Sequence, residues 1–255
     1  MDSIDEYLLN ELDIKVPNSQ ETSIRNRMFT INLNSLERDR LDSNYFDEKY
    51  RNLLNSIHNG KYELDKLNNV TSFLSTGQTP KSSYYTEAQT EYPIIKAGSY
   101  SGFEIDLKKV AYTIDKQSYS VQKGDIFILS AAHQAEYIAK QIYYLYESPL
   151  PNTSFVGELL CVRANKSVNS MYLYSLLSTT LYKTLLNREK RGQTSHLYSQ
   201  DVKRVMVPIP PLDKQNEIAE HIETIRIQAK ALQEEGERIL ENAKHEVEHI
   251  IMSKE

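Results

Sequence analysis

The C-terminal part of the chain carries a regular apolar pattern. Apolar or small residues recur there at alternating intervals of four and three residues: Ile218, Ile222, Ile225, Ala229, Leu232, Gly236, Ile239 and Ala243. This heptad spacing is typical of a long helix that packs along a second helix. About forty residues at about 1.5 Å each would form a rod of about 60 Å, which is too long for a small domain of the same chain to cover. We therefore expect a coiled coil over residues 210–255.

All of these seam residues except Gly236 are predicted to mediate dimerisation. Glycine at position 236 costs about 1 kcal/mol of helix propensity. Either two helix backbones approach each other closely there, or the seam shifts to Leu240 and Val247.

The stretch VPIPP, residues 207–211, precedes this helix. A residue before proline favours an extended backbone, so Val207 and Ile209 are expected to continue a strand. Proline is tolerated in the first turn of a helix, so Pro211 can begin the long helix. The stretch therefore predicts a stiff joint between a globular domain and the coiled-coil helix.

The residues between 66 and 209 favour a domain of mixed secondary structure. Short apolar or aromatic runs bounded by turn-forming residues are typical of strands: EYPIIKAG, GDIFILS, QIYYLYE and GELLCVRA. Helical spacing predicts a helix between Asn169 and Lys190, one that ends at Asn59-Gly60, and a short one over residues 4–12. The fold class is therefore α/β (α+β), with a mixed sheet followed by a long C-terminal coiled-coil helix.

The charge distribution, the cysteine content and the lack of long apolar runs indicate which classes of protein this chain can belong to. The net charge is −5, but basic residues exceed acidic ones between residues 65 and 205, which suggests contact with a polyanion there. Cys161 is the only cysteine, so neither a disulfide framework nor a thiolate metal cluster is expected, and no metal-binding residues are predicted. No apolar run approaches the roughly 20 residues of a membrane span, and the N-terminus is acidic where a signal peptide is basic. We expect a cytoplasmic protein.

The sequence lacks familiar catalytic motifs. It contains no P-loop, no glycine-rich dinucleotide turn and no HExxH motif. It also lacks an Asn-Pro-Pro-Tyr-like methyltransferase motif and an Asp…Glu-x-Lys nuclease cluster. The chain is therefore expected to be non-catalytic and to bind no cofactor itself.

Two polar segments and two isolated residues are candidates for contact with nucleic acid. Base edges require hydrogen-bond donors and acceptors, and phosphates require cations. The candidate DNA-binding residues are Gln78, Thr79, Lys81, Ser82, Lys96, Tyr100, Lys190, Arg191, Gln193, Thr194, Ser195 and His196. A plain surface turn, cations that cap a helix C-terminus or a solvated strand edge would explain the same residues.

Three stretches resemble the specificity (S) subunit of type I restriction-modification systems. LNSLERDRLDSNYFDEKY (33–50) is similar to the beginning of a target recognition domain, and LSTGQTPKSSYY (74–85) is similar to its Gly-Thr-Pro loop. GQTSHLYSQDVKRVMVPIPPLDKQNEIAEHI (192–222) is similar to the end of that domain and the start of the conserved-region helix. The resemblance implies an N-terminal helix and linker over 1–34, a DNA-binding target recognition domain over 35–209, and a conserved-region helix over 210–255.

The resemblance also implies a function and partners. Members of this family read double-stranded DNA without catalysis, usually with two recognition domains whose long helices pair antiparallel. Methyltransferase subunits that carry S-adenosylmethionine assemble with them, and restriction motor subunits can join. The sequence shows one recognition domain and no internal repeat. It therefore resembles a half-length form that reads one half-site and pairs with a second copy or with a complementary S half.

Two alternatives stay open. A coiled-coil adaptor whose middle domain binds protein instead of DNA would also fit the acidic tail and the modest positive charge of the middle. A fragment of a fused restriction-methylation enzyme is the other alternative, against which the missing catalytic motifs argue.

Overall fold

The computed structural model describes residues 3–17, 40, 42–192 and 195–252, so the predicted linker from Gln20 to Asn34 lies outside them. The helices are α1 (Ile4–Glu11), α2 (Glu48–His58), α3 (Ser170–Leu177), α4 (Thr180–Arg188), α5 (Ser199–Val202) and α6 (Leu212–Met252). The strands are β1 (Leu64–Lys66), β2 (Thr71–Thr76), β3 (Tyr85–Thr86), β4 (Pro93–Ile95), β5 (Tyr100–Ser101), β6 (Glu104–Ile105), β7 (Ala111–Thr113), β8 (Ile126–Leu129), β9 (Ile142–Tyr144), β10 (Ser154–Phe155), β11 (Leu159–Ala164) and β12 (Met206–Pro208).

Within the described residues the strands form one large and two smaller sheets. The largest has the order β2-β11-β8-β9-β6-β5, and all its neighbours are antiparallel except β6 and β9. A second sheet has the order β10-β4-β7-β3, with β10 parallel to β4, and β1 pairs with β12. The mixed sheets and the long helix α6 confirm the predicted α/β (α+β) class.

The large sheet separates two hydrophobic cores. Because successive residues of a strand face opposite sides of a sheet, Ile126 and Ile128 belong to the core that also contains the helices, and Phe127 belongs to the other core. On the neighbouring strand, Val162 and Cys161 divide in the same way. Burial on both faces explains why these strands appear in the sequence as unbroken apolar runs.

The single helix predicted between Asn169 and Lys190 is instead two helices, α3 and α4. The side chain of Thr179 accepts a hydrogen bond from the N–H of Tyr182 and so caps the N-terminus of α4, directly after α3 has ended at Ser178. The prediction was wrong because the apolar spacing continues across this break. Serine and threonine, however, favour cap positions over helix interiors.

Helix α1 packs into the core of the domain. Leu8 and Leu12 are fully buried and lie in the same cluster as Ile218 of α6. The carboxylate of Asp5 accepts a hydrogen bond of 2.8 Å from the N–H of Thr180, the first residue of α4. Although the resemblance implies a separate segment over residues 1–34, α1 contributes to the packing of the domain that follows.

The proline-rich joint is held by a buried glutamine. The N–H of Ile209 donates to the carbonyl of Glu63 at 2.9 Å, so the chain is extended here as predicted, and α6 begins directly after the last proline. The side chain of Gln215 donates to the carbonyl of Pro210 at 2.8 Å and accepts from the N–H of Asn169 at 2.9 Å. These bonds fix the direction in which α6 leaves the domain.

Helix α6 is buried only over about its first three turns. Ile218 and Ile222 are fully buried in the core of their own domain, so they cannot mediate dimerisation, and this part of the predicted seam is corrected. Ile225 is half-buried. The other predicted seam residues are exposed: Ala229, Leu232 (75%), Ile239 (58%) and Ala243. Residues 227–252 thus form a rod of about 39 Å, at about 1.5 Å per residue.

Candidate nucleic-acid interface

Four loops meet at one edge of the largest sheet. Because neighbouring antiparallel strands alternate in direction, β2 and β8 end at this edge and β11 begins there. The loops comprise residues 77–82, 130–134 and 156–158 and a hairpin, named the 191–198 hairpin, of which residues 191–192 and 195–198 are described. They are named the loop edge here. Described residues of both polar segments predicted from the sequence belong to it.

The loop after β2 is fixed by a close backbone contact. A Cβ atom added to Gly77 would lie 2.2 Å from the carbonyl oxygen of Phe155, so only glycine fits there. The N–H of Gly77 donates to the carbonyl of Leu159 at 3.1 Å, and the N–H of Gln78 donates to that of Phe155 at 3.1 Å. The backbone that carries the side chains after Gly77 is therefore fixed relative to residues 155–159.

Glu158 connects three of these loops. Its carboxylate accepts a hydrogen bond of 2.8 Å from Oγ1 of Thr79, which itself accepts from the N–H of Gly157 at 2.9 Å. The N–H of Ser130 donates to the carbonyl of Glu158 at 2.9 Å. The hydroxyl of Thr79, a predicted DNA contact, is therefore used to hold the loop in place.

Three other predicted residues of the first loop, Gln78, Lys81 and Ser82, are exposed at the loop edge. The hydroxyl of Ser118 donates to Oε1 of Gln78 at 2.7 Å, which orients the amide group. This bond leaves the amide nitrogen of Gln78 as a hydrogen-bond donor. The structure thus keeps these three side chains accessible to a ligand.

The 191–198 hairpin is tied to the neighbouring loop. The backbone groups of Arg191 and His196 bond each other in both directions, at 2.9 and 2.8 Å. The N–H of Leu197 donates to the carbonyl of Ser130 at 2.9 Å, so the hairpin and the 130–134 loop are held together. Of the other predicted residues, Ser195 is half-buried at the turn, and Gln193 and Thr194 lie outside the described residues.

The two predicted cations of this segment differ in their surroundings. Nε of Arg191 lies 2.9 Å from Oδ2 of Asp201, a carboxylate that is only 4% exposed. Lys190 donates from Nζ to Oδ1 of Asn187 at 2.8 Å, and its pKa is lowered by burial and by the nearby ammonium of Lys49. Arg191 is therefore engaged in an internal ion pair, whereas Lys190 faces another cation.

Lys96 and Tyr100 lie apart from each other. Lys96 borders the loop edge, because it follows β4, which is parallel to the strand that leads into residues 156–158. Its ammonium lies 5.3 Å from the ring centre of Tyr85. Tyr100 lies in β5, the outer strand on the far side of the sheet from β2, and stacks on Tyr143 at 4.5 Å. The structure therefore does not bring Tyr100 to the loop edge.

A groove beside the loop edge brings Lys190 together with three lysines that the sequence did not single out. It lies between α2, α4 and the turn over 134–140, has a volume of about 820 Å³, and is named the basic groove here. Its charged lining residues are Lys49, Lys140, Lys183, Lys190 and Glu136. No local pattern could have revealed it, because its lysines come from separate segments of the chain that meet only in the fold.

Some kinds of site are not found in the described part of the chain. Within it, no helix combines the length and the apolar content that a membrane span requires. In those same residues, His, Cys, Asp and Glu side chains form no group of three or more that could hold a metal ion. Cys161 is fully buried, and burial raises the pKa of its thiol well above the usual value, which disfavours the reactive thiolate.

A family model and one curated relative both match this chain. A family model described as the type I restriction modification DNA specificity domain matches residues 59–241. The chain is 26% identical over 166 residues to a protein named as the type I restriction enzyme MjaX specificity subunit of Methanocaldococcus jannaschii. That match covers 62% of this chain and 38% of the relative.

Two solved structures share the fold. The HsdS subunit from Thermoanaerobacter tengcongensis has a TM-score of 0.51 at 18% identity, over 68% of this chain and 39% of that chain. A chain from a structure of type I R-M system assembly and conformational transition has a TM-score of 0.52 at 18% identity, over 67% of this chain and 40% of that chain. The chain thus spans about two fifths of the length of the relatives that it matches.

Proposed function

We propose that this chain, which belongs to the type I restriction-modification DNA specificity family, reads one half-site of a DNA target. The reading surface in this proposal is the loop edge. The observation that carries the proposal is the loop edge itself, where one sheet brings exposed polar side chains from separate segments together. Binding residues are commonly found on loops that a rigid scaffold positions.

Within the loop edge, Gln78 is the residue best suited to read a base. Glutamine can make two hydrogen bonds to adenine in the major groove, and the bond from Ser118 already orients the amide of Gln78. Cations contact phosphates, which position the protein without specifying sequence. We assign that second role to Lys81, Lys96 and Lys190.

We further propose that the exposed part of α6 pairs with a second long helix. The partner is a second copy of this chain or a complementary S half. The proposed contact residues are Ile225, Ala229, Leu232, Ile239 and Ala243. Pairing would remove their apolar surface from water and set the distance between two half-sites.

Catalysis is proposed to come from other subunits. In this proposal the chain is non-catalytic, acts in the cytoplasm, and directs methyltransferase subunits to the DNA that it recognises. S-adenosylmethionine would bind to the methyltransferase, and restriction motor subunits would join the same assembly where the system contains them.

Mapping of methylated DNA tests this function. Cells that contain this chain and the methyltransferase of the same system are expected to methylate one defined sequence. Gln78→Ala is expected to relax that sequence at one position, because a good base contact is worth about 1–3 kcal/mol of discrimination. Lys123→Ala is the control, since Lys123 is exposed just before β8, at the opposite edge of the sheet.

Two results would contradict the proposal. An unchanged methylation pattern when Gln78, Lys81 and Ser82 are all replaced by alanine would place the reading surface elsewhere. Binding of the methyltransferase without any preference for a DNA sequence would favour the coiled-coil adaptor.

A further inference from the structure

The basic groove runs away from the loop edge along α4. Lys183 and Asn187 of α4 line one wall, Lys49 of α2 lines the second, and Lys140 belongs to the turn that forms the third. Glu136 is the acidic residue that lines the groove. Four lysines therefore face one carboxylate, so the groove favours an anionic ligand.

Hydrogen bonds between the elements that form the groove hold its walls in place. Nδ2 of Asn187 donates to the carbonyls of Ala135 and Ile138, at 3.2 and 2.8 Å, and so ties the turn to α4. Nε of Arg188 donates to the carbonyl of Tyr45 at 2.9 Å and ties α4 to the segment before α2. A ligand would therefore meet a pre-formed site, which lowers the entropic cost of binding.

The lysines of the groove are incompletely compensated by carboxylates. Burial lowers the pKa of Lys183 and of Lys190, and Lys49 lowers that of Lys190 further, although Asp5 partly offsets the effect at Lys183. The ammonium of the exposed Lys49 lies 4.0 Å from the carboxylate of the half-buried Asp47. A bound anion would favour the charged form of each lysine.

The groove is continuous with the loop edge. Lys190 lines the groove and Arg191 begins the hairpin, while Gln134 both lines the groove and ends the 130–134 loop. Helix α4 has 9 residues. It is therefore about 14 Å long at about 1.5 Å per residue. That length is enough for the groove to meet more than one phosphate of a single DNA strand, whose successive phosphates are about 3.4 Å apart along the helix axis.

We propose that the basic groove binds the sugar-phosphate backbone of duplex DNA beside the half-site that the loop edge reads. This inference rests on the proposed function and extends the DNA contact from the loops to the helical side of the domain. Lys49, Lys140 and Lys183 join Lys190 as phosphate contacts. Because phosphates carry no base information, the groove contributes affinity and orientation but no sequence preference.

Salt-dependent DNA titrations of the complex with methyltransferase test the groove. Lys49→Gln combined with Lys140→Gln removes two exposed charges and is expected to weaken binding of target and unrelated duplexes by the same factor. Each lost phosphate contact should reduce the slope of log K against log salt by about 0.9, so the pair should reduce it by about 1.8. Fluorescence anisotropy over roughly 50–200 mM salt measures both quantities.

Three matched variants separate charge from structure. Lys49→Arg with Lys140→Arg keeps both charges and should retain the affinity and the slope. Glu136→Gln removes the opposing carboxylate and should tighten binding at low salt. Lys123→Gln removes an exposed lysine at the opposite edge of the sheet and should change neither quantity.

The outcomes distinguish this inference from the proposed function. Unchanged affinity and slope in the Lys49→Gln, Lys140→Gln variant, with target preference intact, would overturn the groove and leave the function standing. Loss of methyltransferase binding with DNA affinity retained would also overturn it and make the groove a protein interface. A wild-type complex that binds no DNA would refute both.

Discussion

Three arginines of the domain are used for internal contacts. Nε and Nη2 of Arg163 donate to the two carboxylate oxygens of the buried Asp125, at 2.7 and 2.8 Å. Arg188 bonds a backbone carbonyl, and Arg191 lies beside Asp201. The planar guanidinium suits such fixed contacts, whereas the ammonium of lysine acts as a point charge on a flexible stem. These arginines therefore build the scaffold, and the proposed phosphate contacts are all lysines.

Arg191→Ala is expected to lower the stability of the domain. It leaves the carboxylate of Asp201, which is 4% exposed, without its cation. Since Arg191 is itself 35% exposed, solvent screens part of the loss. We expect a cost of about 1–2 kcal/mol. The melting temperature should then fall by about 2–8 °C in circular dichroism, and Asp201→Asn in the same chain should restore most of it. An unchanged melting temperature with weakened DNA binding would instead make Arg191 a DNA contact.

At the scale of elements, helix α6 has two parts with different surroundings. Ile218 and Ile222 lie in the core of the domain, and the side chains of Leu232 and Ile239 face water. One heptad pattern runs through both parts, because spacing of three and four residues suits packing against any neighbour, whether a domain core or another helix. The spacing therefore predicted the helix but could not show where the domain ends and the rod begins.

Leu232→Lys combined with Ile239→Lys is expected to abolish pairing of the rod. Two lysines on the seam would have to be buried against the partner helix without counter-charges. Both side chains are largely exposed in the single chain. The free energy of unfolding of the domain should therefore change by less than about 0.5 kcal/mol per substitution.

Sedimentation should show loss of the dimer or of the complex with the S half. The control is Glu234→Lys, on the opposite face of the rod, which should leave assembly intact. Retained assembly in the double variant would show that this seam is not the contact.

At the scale of the whole molecule, the periodic features could be predicted from the sequence and the contacts between distant segments could not. Both faces of β8 and β11 are buried, so their sequences are continuous apolar runs around Phe127 and Cys161. These runs identified the two strands in the sequence. The contact of Thr79 with Glu158 depends on the order of β2, β11 and β8, which local spacing does not encode. The approach of Lys49 to α4 likewise depends on helix packing. The candidate site was therefore predictable as separate segments but not as one surface.

Helix α1 connects parts of the molecule that lie far from it in the sequence. Asp5 bonds the N-terminus of α4, whose other end leads into the loop edge. The carboxylate of Glu11 lies 2.6 Å from Nζ of Lys214 in the first turn of α6. Between these two contacts, Leu8 is fully buried in the cluster shared by α3 and α6. α1 thus links the helix next to the loop edge with the helix that forms the rod.

Leu8→Ala is therefore expected to destabilise the entire domain and not α1 alone. Removal of a fully buried leucine side chain costs about 2–5 kcal/mol, and a shared core unfolds as one cooperative unit. Urea unfolding followed by circular dichroism and by fluorescence of the 18 tyrosines should show one coincident transition at a lower midpoint. Asn10→Ala, on the exposed face of α1, should leave that midpoint unchanged. If the fluorescence midpoint stays in place while helical signal is lost first, α1 unfolds by itself, and it cannot fix the rod relative to the loop edge.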